Sequence, residues 1–266
     1  MTALVDAAVQ VARGTRAEAV RSGGTRSAIL LAAIPCAILL PTAITFGVAA
    51  VAERFATIPG EIQVTAATST NSVYWVITLT TIVIAATATY SHAITLRGRD
   101  DDLDRWLFPR ACTPILARWL FYGVAGAVCS ALLVAATMLL LPALFPAVYG
   151  AVDLWSGVGA RFVVTVPIYT FLVCGLGIAV AAIVGHPAGA IAVLLFWVYV
   201  VENMISLVPN GYALQSYMPF LNGIAGTGQE LAFTPPWGVD GGLVYLAVVT
   251  AVAMSIGCGV SMLRRR

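Results

Sequence analysis

The sequence predicts an all-α integral membrane protein with six transmembrane helices and both termini in the cytoplasm. Three observations predict it. Of the 266 residues 60% are apolar and 10% charged, with mean hydropathy +0.94; a soluble domain carries about a quarter charged residues. Six apolar stretches come near the roughly 20 residues that a helix needs to cross a bilayer. Basic residues, finally, are confined to alternate loops. In lipid only helices and closed barrels satisfy the backbone, and a barrel needs alternating segments of about ten residues. The long runs are therefore helices.

Residues 4–20 come first, as an amphipathic cytoplasmic helix with Leu4, Ala8, Val11 and Ala12 near one face and Gly23 and Gly24 at its end. Such a helix suits the membrane surface or a partner; a solvated extension is the plainer alternative. The predicted spans follow at 28–52, 73–90, 119–141, 162–184, 188–208 and 242–262. The first is too long, and preceded by too long a polar segment, for a cleaved signal peptide. The chain is thus one unit: a cytoplasmic N-terminal helix (1–26), a six-helix membrane region (28–262) and a short tail (263–266).

Orientation comes from the arginines. Arg13, Arg16, Arg21 and Arg26 precede the first span; Arg97, Arg99, Arg105, Arg110 and Arg118 fall between the second and third; Arg264, Arg265 and Arg266 end the chain. Only Arg54 and Arg161 lie on the other side. The positive-inside rule places both termini in the cytoplasm, as an even number of spans requires. Gly185-His-Pro-Ala-Gly189 is then a tight cytoplasmic hairpin. The long, Gly/Pro-rich outer loop 209–241 is expected to form short re-entrant or interfacial helices.

All fourteen basic residues are arginine. Without lysine there is no Walker A loop, no lysine Schiff base and no Ser-x-x-Lys pair. Any ATP is hydrolysed by another chain. Cys36, Cys112, Cys129, Cys174 and Cys258 show no CxxC spacing and are expected neither to bind metal nor to work in redox chemistry.

Asp100, Asp101 and Asp104 form a DDxxD pattern of the kind that holds diphosphate through Mg²⁺. No second acidic cluster accompanies it, and Arg97, Arg99 and Arg105 bracket it, so a solvated, self-neutralised loop is the plain reading. His92 and His186 lie in no HExxH or Ser-His-Asp arrangement. Glu202 is the one ionisable residue inside a predicted span. It is a polar point on a transport path, a link between helices, or a side chain reaching the outer interface. Tyr74, Trp75, Phe196, Trp197 and Tyr199 sit near span ends, where interfacial aromatic belts occur. Gly123, Gly126, Ser130, Gly257 and Gly259 are helix-contact positions.

Two further stretches are distinctive: Phe196-Trp-Val-Tyr-Val-Val-Glu-Asn-Met-Ile-Ser-Leu-Val-Pro209 and Tyr217-Met-Pro-Phe220. Together they resemble the actinobacterial ABC-2 pattern of Trp, an apolar run, Val-Glu, Leu-Pro and Leu-Pro-Phe. Arg16-Ala-Glu-Ala-Val-Arg-Ser22 is similar to the Ser-Glu-x-x-Lys-Leu-Arg segment of the same family. With six spans, an N-terminal cytoplasmic helix and a substantial loop after the second span, the chain resembles an ABC-2-type transporter permease. It departs from the family after span two, where Ala93-Ile-Thr-Leu, an acidic run and Trp106-Leu-Phe-Pro109 replace the usual Gly-Thr-x-x-x-x-Leu leading to a Pro.

The resemblance implies a permease that binds no cofactor and carries out no bond chemistry. It would pair with a second copy or a similar permease, and with two copies of an ABC ATPase that hold ATP and Mg²⁺. A coupling helix for the ATPase would lie at 103–114, with Trp106, Leu107 and Phe108 as an apolar plug beside Leu103, Arg105 and Arg110. Tyr74, Trp75, Thr78, Phe196, Tyr199, Glu202 and Asn203 would line the path of an exported hydrophobic or amphiphilic compound. Membrane lipid is the other expected partner, nucleic acid is not, and the location is the bacterial plasma membrane. Two alternatives remain at this stage. One is a membrane enzyme acting on prenyl or lipid diphosphates through Asp100–Asp104, the other a non-transporting assembly subunit.

Overall fold

The computed structural model describes residues 2–23, 33–56, 58, 67–97 and 99–265. The start of the first predicted span (28–32), Gly24, Arg26, Glu61, Gly98 and Arg266 lie outside them, as do the side chains of Leu4 and Arg99. All regular structure among the described residues is helical: α1 (Thr2–Ser22), α2 (Ile34–Ala56), α3 (Ser69–Thr95), α4 (Arg99–Leu107), α5 (Cys112–Leu144), α6 (Pro146–Tyr149), α7 (Gly157–Val184), α8 (Pro187–Leu207), α9 (Gly211–Gln215), α10 (Pro219–Thr227) and α11 (Gly238–Arg264). Six of them, α2, α3, α5, α7, α8 and α11, are long and apolar enough to cross a membrane. This is a multi-pass membrane protein by length and composition.

The most enclosed helix is α7, which packs on α3, α5 and α11. Lipid gives apolar helices no hydrophobic reason to associate, so close van der Waals approach must hold them. Small residues supply it. A Cβ on Gly175 would meet the Trp119 indole nitrogen at 2.7 Å, and one on Gly126 would meet Ile84 and Thr170 at 3.0 Å. Gly257 lies against Ala182 in the same way, but a Cβ on Gly259 would meet nothing within 4 Å among the described residues. The least enclosed span is α8, followed equally by α2 and α11.

Proline inside α2 shows how backbone polarity is satisfied. Pro41 has no N–H, which frees the carbonyl of Ala37 one turn back. The Thr80 hydroxyl of α3 donates to that carbonyl at 2.9 Å, with both residues fully buried.

The two ends of the bundle are distinct. At one, α1, α4, the 185–189 hairpin and the end of α11 meet: Arg97 donates to Gly185 O, Arg264 to the carbonyls of Ala182 and Ile183, and Arg265 to Phe108 O. At the other, Arg161 pairs with Asp240 at 2.6 Å and Gln229 donates to Asn71. Gly185 closes α7 in the left-handed region (φ 72°), which glycine tolerates. His186 then caps α8, its Nδ1 accepting from Gly189 N, with Pro187 in the first turn. It is a structural histidine.

Two features go beyond the sequence expectations, the second as a correction. α1 turns Gly14, Glu18 and Ser22 against the protein and leaves Ala8 and Ala12 exposed, so it is its small and polar stripe that packs. A Cβ on Gly14 would meet Ala117 Cβ at 2.8 Å, which is why α1 can lie so close to α5. Second, α5 begins at Cys112 and not near residue 119, placing Arg118 inside the helix with its neighbours Thr113, Pro114 and Ala117 buried.

Candidate functional site

The arginine-rich end is organised around Arg118, which is 3% exposed. Its Nε donates to Glu18 Oε2 at 3.3 Å, its Nη2 to Asp104 Oδ2 at 2.8 Å, and its Nη1 to His92 Nδ1 at 3.1 Å. A guanidinium only donates, so Nδ1 is the accepting nitrogen of this imidazole. Arg21 at the rim lies 3.6 Å from Glu18 and 3.7 Å from Asp104. Two arginines thus balance two carboxylates, the condition for burying such charges. A relay of hydroxyls completes the shell: Ser22 donates to Tyr122, Tyr122 to Ser91 at 2.8 Å, and Ser91 to Glu18 at 3.0 Å. One guanidinium joins α1, α3, α4 and α5.

This cluster overturns the reading of 98–104 as a solvated loop. Asp104 is buried on Arg118, and Asp101 pairs with Arg105 at 2.7 Å within a helix. The Asp101 hydrogen bond holds the exposed Arg105 guanidinium above its ordinary range. With Asp104 and Asp101 each taken by an arginine, the DDxxD carboxylates do not converge on one point. Among the described residues no group of His, Cys, Asp and Glu is arranged to hold a metal.

Anchoring Asp104 inward fixes what α4 shows outward. Leu103, Trp106 and Leu107 share the other face at i, i+3 and i+4, and all three are exposed, Trp106 by 79%. The usual arrangement is inverted at these positions, with Asp104 inside and Leu103, Trp106 and Leu107 outside, beside the exposed Asp100 and Asp102. Of the six coupling candidates, Arg105 and Arg110 are exposed beside this face. Phe108 departs from it: it is half-buried, its ring 3.6 Å from where a Cβ on Gly14 would stand. The exposed apolar face of α4 is therefore Leu103, Trp106 and Leu107. The helix also ends at Leu107, and Pro114 belongs to the first turn of α5.

At the opposite end Glu202 is fully buried. Its carboxylate accepts from Phe220 N at 3.0 Å, Leu221 N at 2.8 Å and Trp197 Nε1 at 3.1 Å. Pro219 opens α10, so Glu202 fills the place of an N-terminal cap from another helix, where free N–H groups and the helix dipole favour an anion. Glu202 links α8 to α10 and is enclosed by the protein. The two stretches that resemble ABC-2 sequences, one ending after Glu202 and the other carrying Pro219-Phe220, meet at this contact.

A cavity of about 280 Å³ opens beside Glu202, between α3, α7, α8 and α10. Tyr74, Trp75, Thr78, Tyr199, Glu202 and Asn203 all line it, whereas Phe196 is 59% exposed and does not. Sequence reasoning missed its back wall, Tyr169 and Phe220. Two π-helical turns, Val76–Thr80 and Trp197–Val201, fall on this cavity. Such bulges free backbone carbonyls and recur at functional sites; here Asn203 Nδ2 donates to Val198 O at 2.9 Å.

Compared with protein-family models, curated proteins and solved structures, the chain matches none.

Proposed function

We propose that this chain is the permease subunit of an ATP-driven exporter of the ABC-2 type in a bacterial plasma membrane. Its arginine-rich end and both termini face the cytoplasm, where a separate ATPase chain supplies ATP and Mg²⁺. The observation that carries the reading is the outward apolar face of α4. A helix that buries Asp104 and exposes Leu103, Trp106 and Leu107 has a partner to cover it, and large aromatics in such patches supply most of the binding energy. The absence of lysine accords with an ATP site on that partner.

The mechanism is alternating access. ATP draws two ATPase subunits together, and each moves the α4 docked on it. Motion of α4 passes through Asp104 and Arg118 to α5, α1 and His92 of α3. At its other end α3 carries Tyr74, Trp75 and Thr78 on the cavity, so one helix joins the driven end to the cargo. The permease contributes different affinities in its two states. A second permease stands against the spans left most open, α8 foremost, with α2 and α11 equally open after it. The cargo is a hydrophobic or amphiphilic compound that suits an aromatic, mostly apolar cavity.

The test is co-expression with a candidate ABC ATPase chain and recovery of both chains in detergent. Trp106→Asp should lower ATPase recovery at least tenfold while the permease elutes unchanged. Equal recovery with Trp106→Asp and with Leu103→Asp would overturn the assignment.

A further inference from the structure

A second cavity, of about 260 Å³, lies at the arginine-rich end where α3, α4, α5 and α11 converge. Its walls carry charge of both signs, unevenly paired. Asp101 is taken by Arg105, while Glu18 and Asp104 are taken by Arg118 and Arg21. Arg264 and Arg265, which also line the cavity, donate to backbone carbonyls of Ala182, Ile183 and Phe108. Among the described residues neither has a carboxylate within ion-pair distance. Two positive charges are left over at the cavity. Burial lowers the Arg265 guanidinium from its ordinary range, with Asp101 and Asp104 pulling the other way.

The polar groups without partners point the same way. His92 and Ser261 line this cavity, are 1% and 8% exposed, and have no hydrogen-bond partner among the described residues for Nε2 and Oγ. Because His92 Nδ1 accepts from Arg118, Nε2 carries the hydrogen of the neutral ring. The imidazole offers a donor, and the serine hydroxyl can offer another. Unmatched donors and surplus guanidinium together call for an anion whose oxygens only accept. A water could satisfy the donors but not the charge, and a divalent cation would worsen both.

We propose that this cavity binds a phosphate group, held by Arg264 and Arg265 and accepting from His92 and Ser261. Basic pockets between membrane helices take phospholipid headgroups, and free phosphate presents the same oxygens. The site stands on the pairing of charges alone and does not depend on the transporter reading.

The full chain, purified in a neutral detergent, decides it by native mass spectrometry with phosphatidylglycerol or diacylglycerol, and by thermal unfolding in inorganic phosphate against chloride at equal ionic strength. Retention of phosphatidylglycerol but not diacylglycerol is the expected result and identifies a lipid phosphate. A rise in Tm with inorganic phosphate, without lipid retention, supports the same site with a free ion. Arg265→Gln should weaken whichever binding is seen about fivefold, and Arg264→Gln with Arg265→Gln about thirtyfold. Ser261→Ala keeps every charge and should weaken it measurably with the unfolding profile unchanged. The proposal is overturned if neither form of phosphate is preferred over its comparison, or if the double variant, still folded, binds as well as the parent.

Discussion

The two ends of the bundle bury carboxylates by opposite means. At the arginine-rich end Glu18 and Asp104 are met by a buried cation, Arg118, and a rim cation, Arg21. At the other end Glu202 is met by two backbone N–H groups and an indole, with no ion-pair partner among the described residues. Glu53 repeats the second solution: it accepts from Ala147 N at 2.9 Å and Val148 N at 3.0 Å, the amides behind Pro146 at the start of α6. Ionic pairing ties together four helices and depends on every member. Capping by dipoles ties one span to one short helix, and each contact stands alone. The driven end of the proposed machine is thus the one whose parts cannot be removed singly.

Loss of Arg118 should be the largest single effect. Arg118→Met leaves two buried carboxylates with only the rim cation Arg21, and loss of a buried partner costs about 3–5 kcal/mol. Thermal or SDS unfolding of the purified chain measures it. Adding Glu18→Gln and Asp104→Asn removes the uncompensated charge, so the triple variant should recover at least half of the loss. No recovery would mean that Arg118 acts by filling space and not by charge.

Next come the two capping glutamates, which differ in burial. Glu202→Ala strands two N–H groups in a dry site, at about 2–3 kcal/mol for bonds to a charged acceptor. Glu53 is half-buried and Ala147 is exposed, so water can replace it and Glu53→Ala should cost under about 1 kcal/mol. Equal losses in unfolding experiments would show that burial does not separate the two caps.

How much of this was legible in the sequence follows from the range of each signal. Six spans are visible because hydropathy is local, and the hairpin because Gly185, His186 and Pro187 carry their own turn chemistry. The start of α5 is not, since Thr113, Pro114, Ala117 and Arg118 look like loop until α1 and α4 are there to bury them. Arg118 sits 100 residues from Glu18 and 14 from Asp104, a pairing no window contains. One clue was present. Once Arg118 is placed inside an apolar helix it demands counter-charges, and Glu18 stands in the segment that precedes the spans. Glu202 is visible as costly, but its partners Phe220 and Leu221 offer only backbone, which composition cannot distinguish. The inverted face of α4 is hidden for a related reason: only Asp104 pointing inward reveals that Trp106 points out.

Between the ends, a neutral hydrogen bond gives the smallest effect and tests whether the comparison extends to uncharged groups. Thr80→Val removes the one side-chain donor to Ala37 O among the described residues, and it should cost about 1 kcal/mol in the parent. Pro41→Ala restores an N–H able to reach that carbonyl within α2. In the Pro41→Ala background the same Thr80→Val change should cost a few tenths of a kcal/mol at most. The coupling in this double-mutant cycle, read from SDS unfolding, is therefore expected to approach the whole single-variant loss. If Thr80→Val costs the same in both backgrounds, the threonine is not replacing the donor that proline lacks, and α2 must be held on α3 by contact alone.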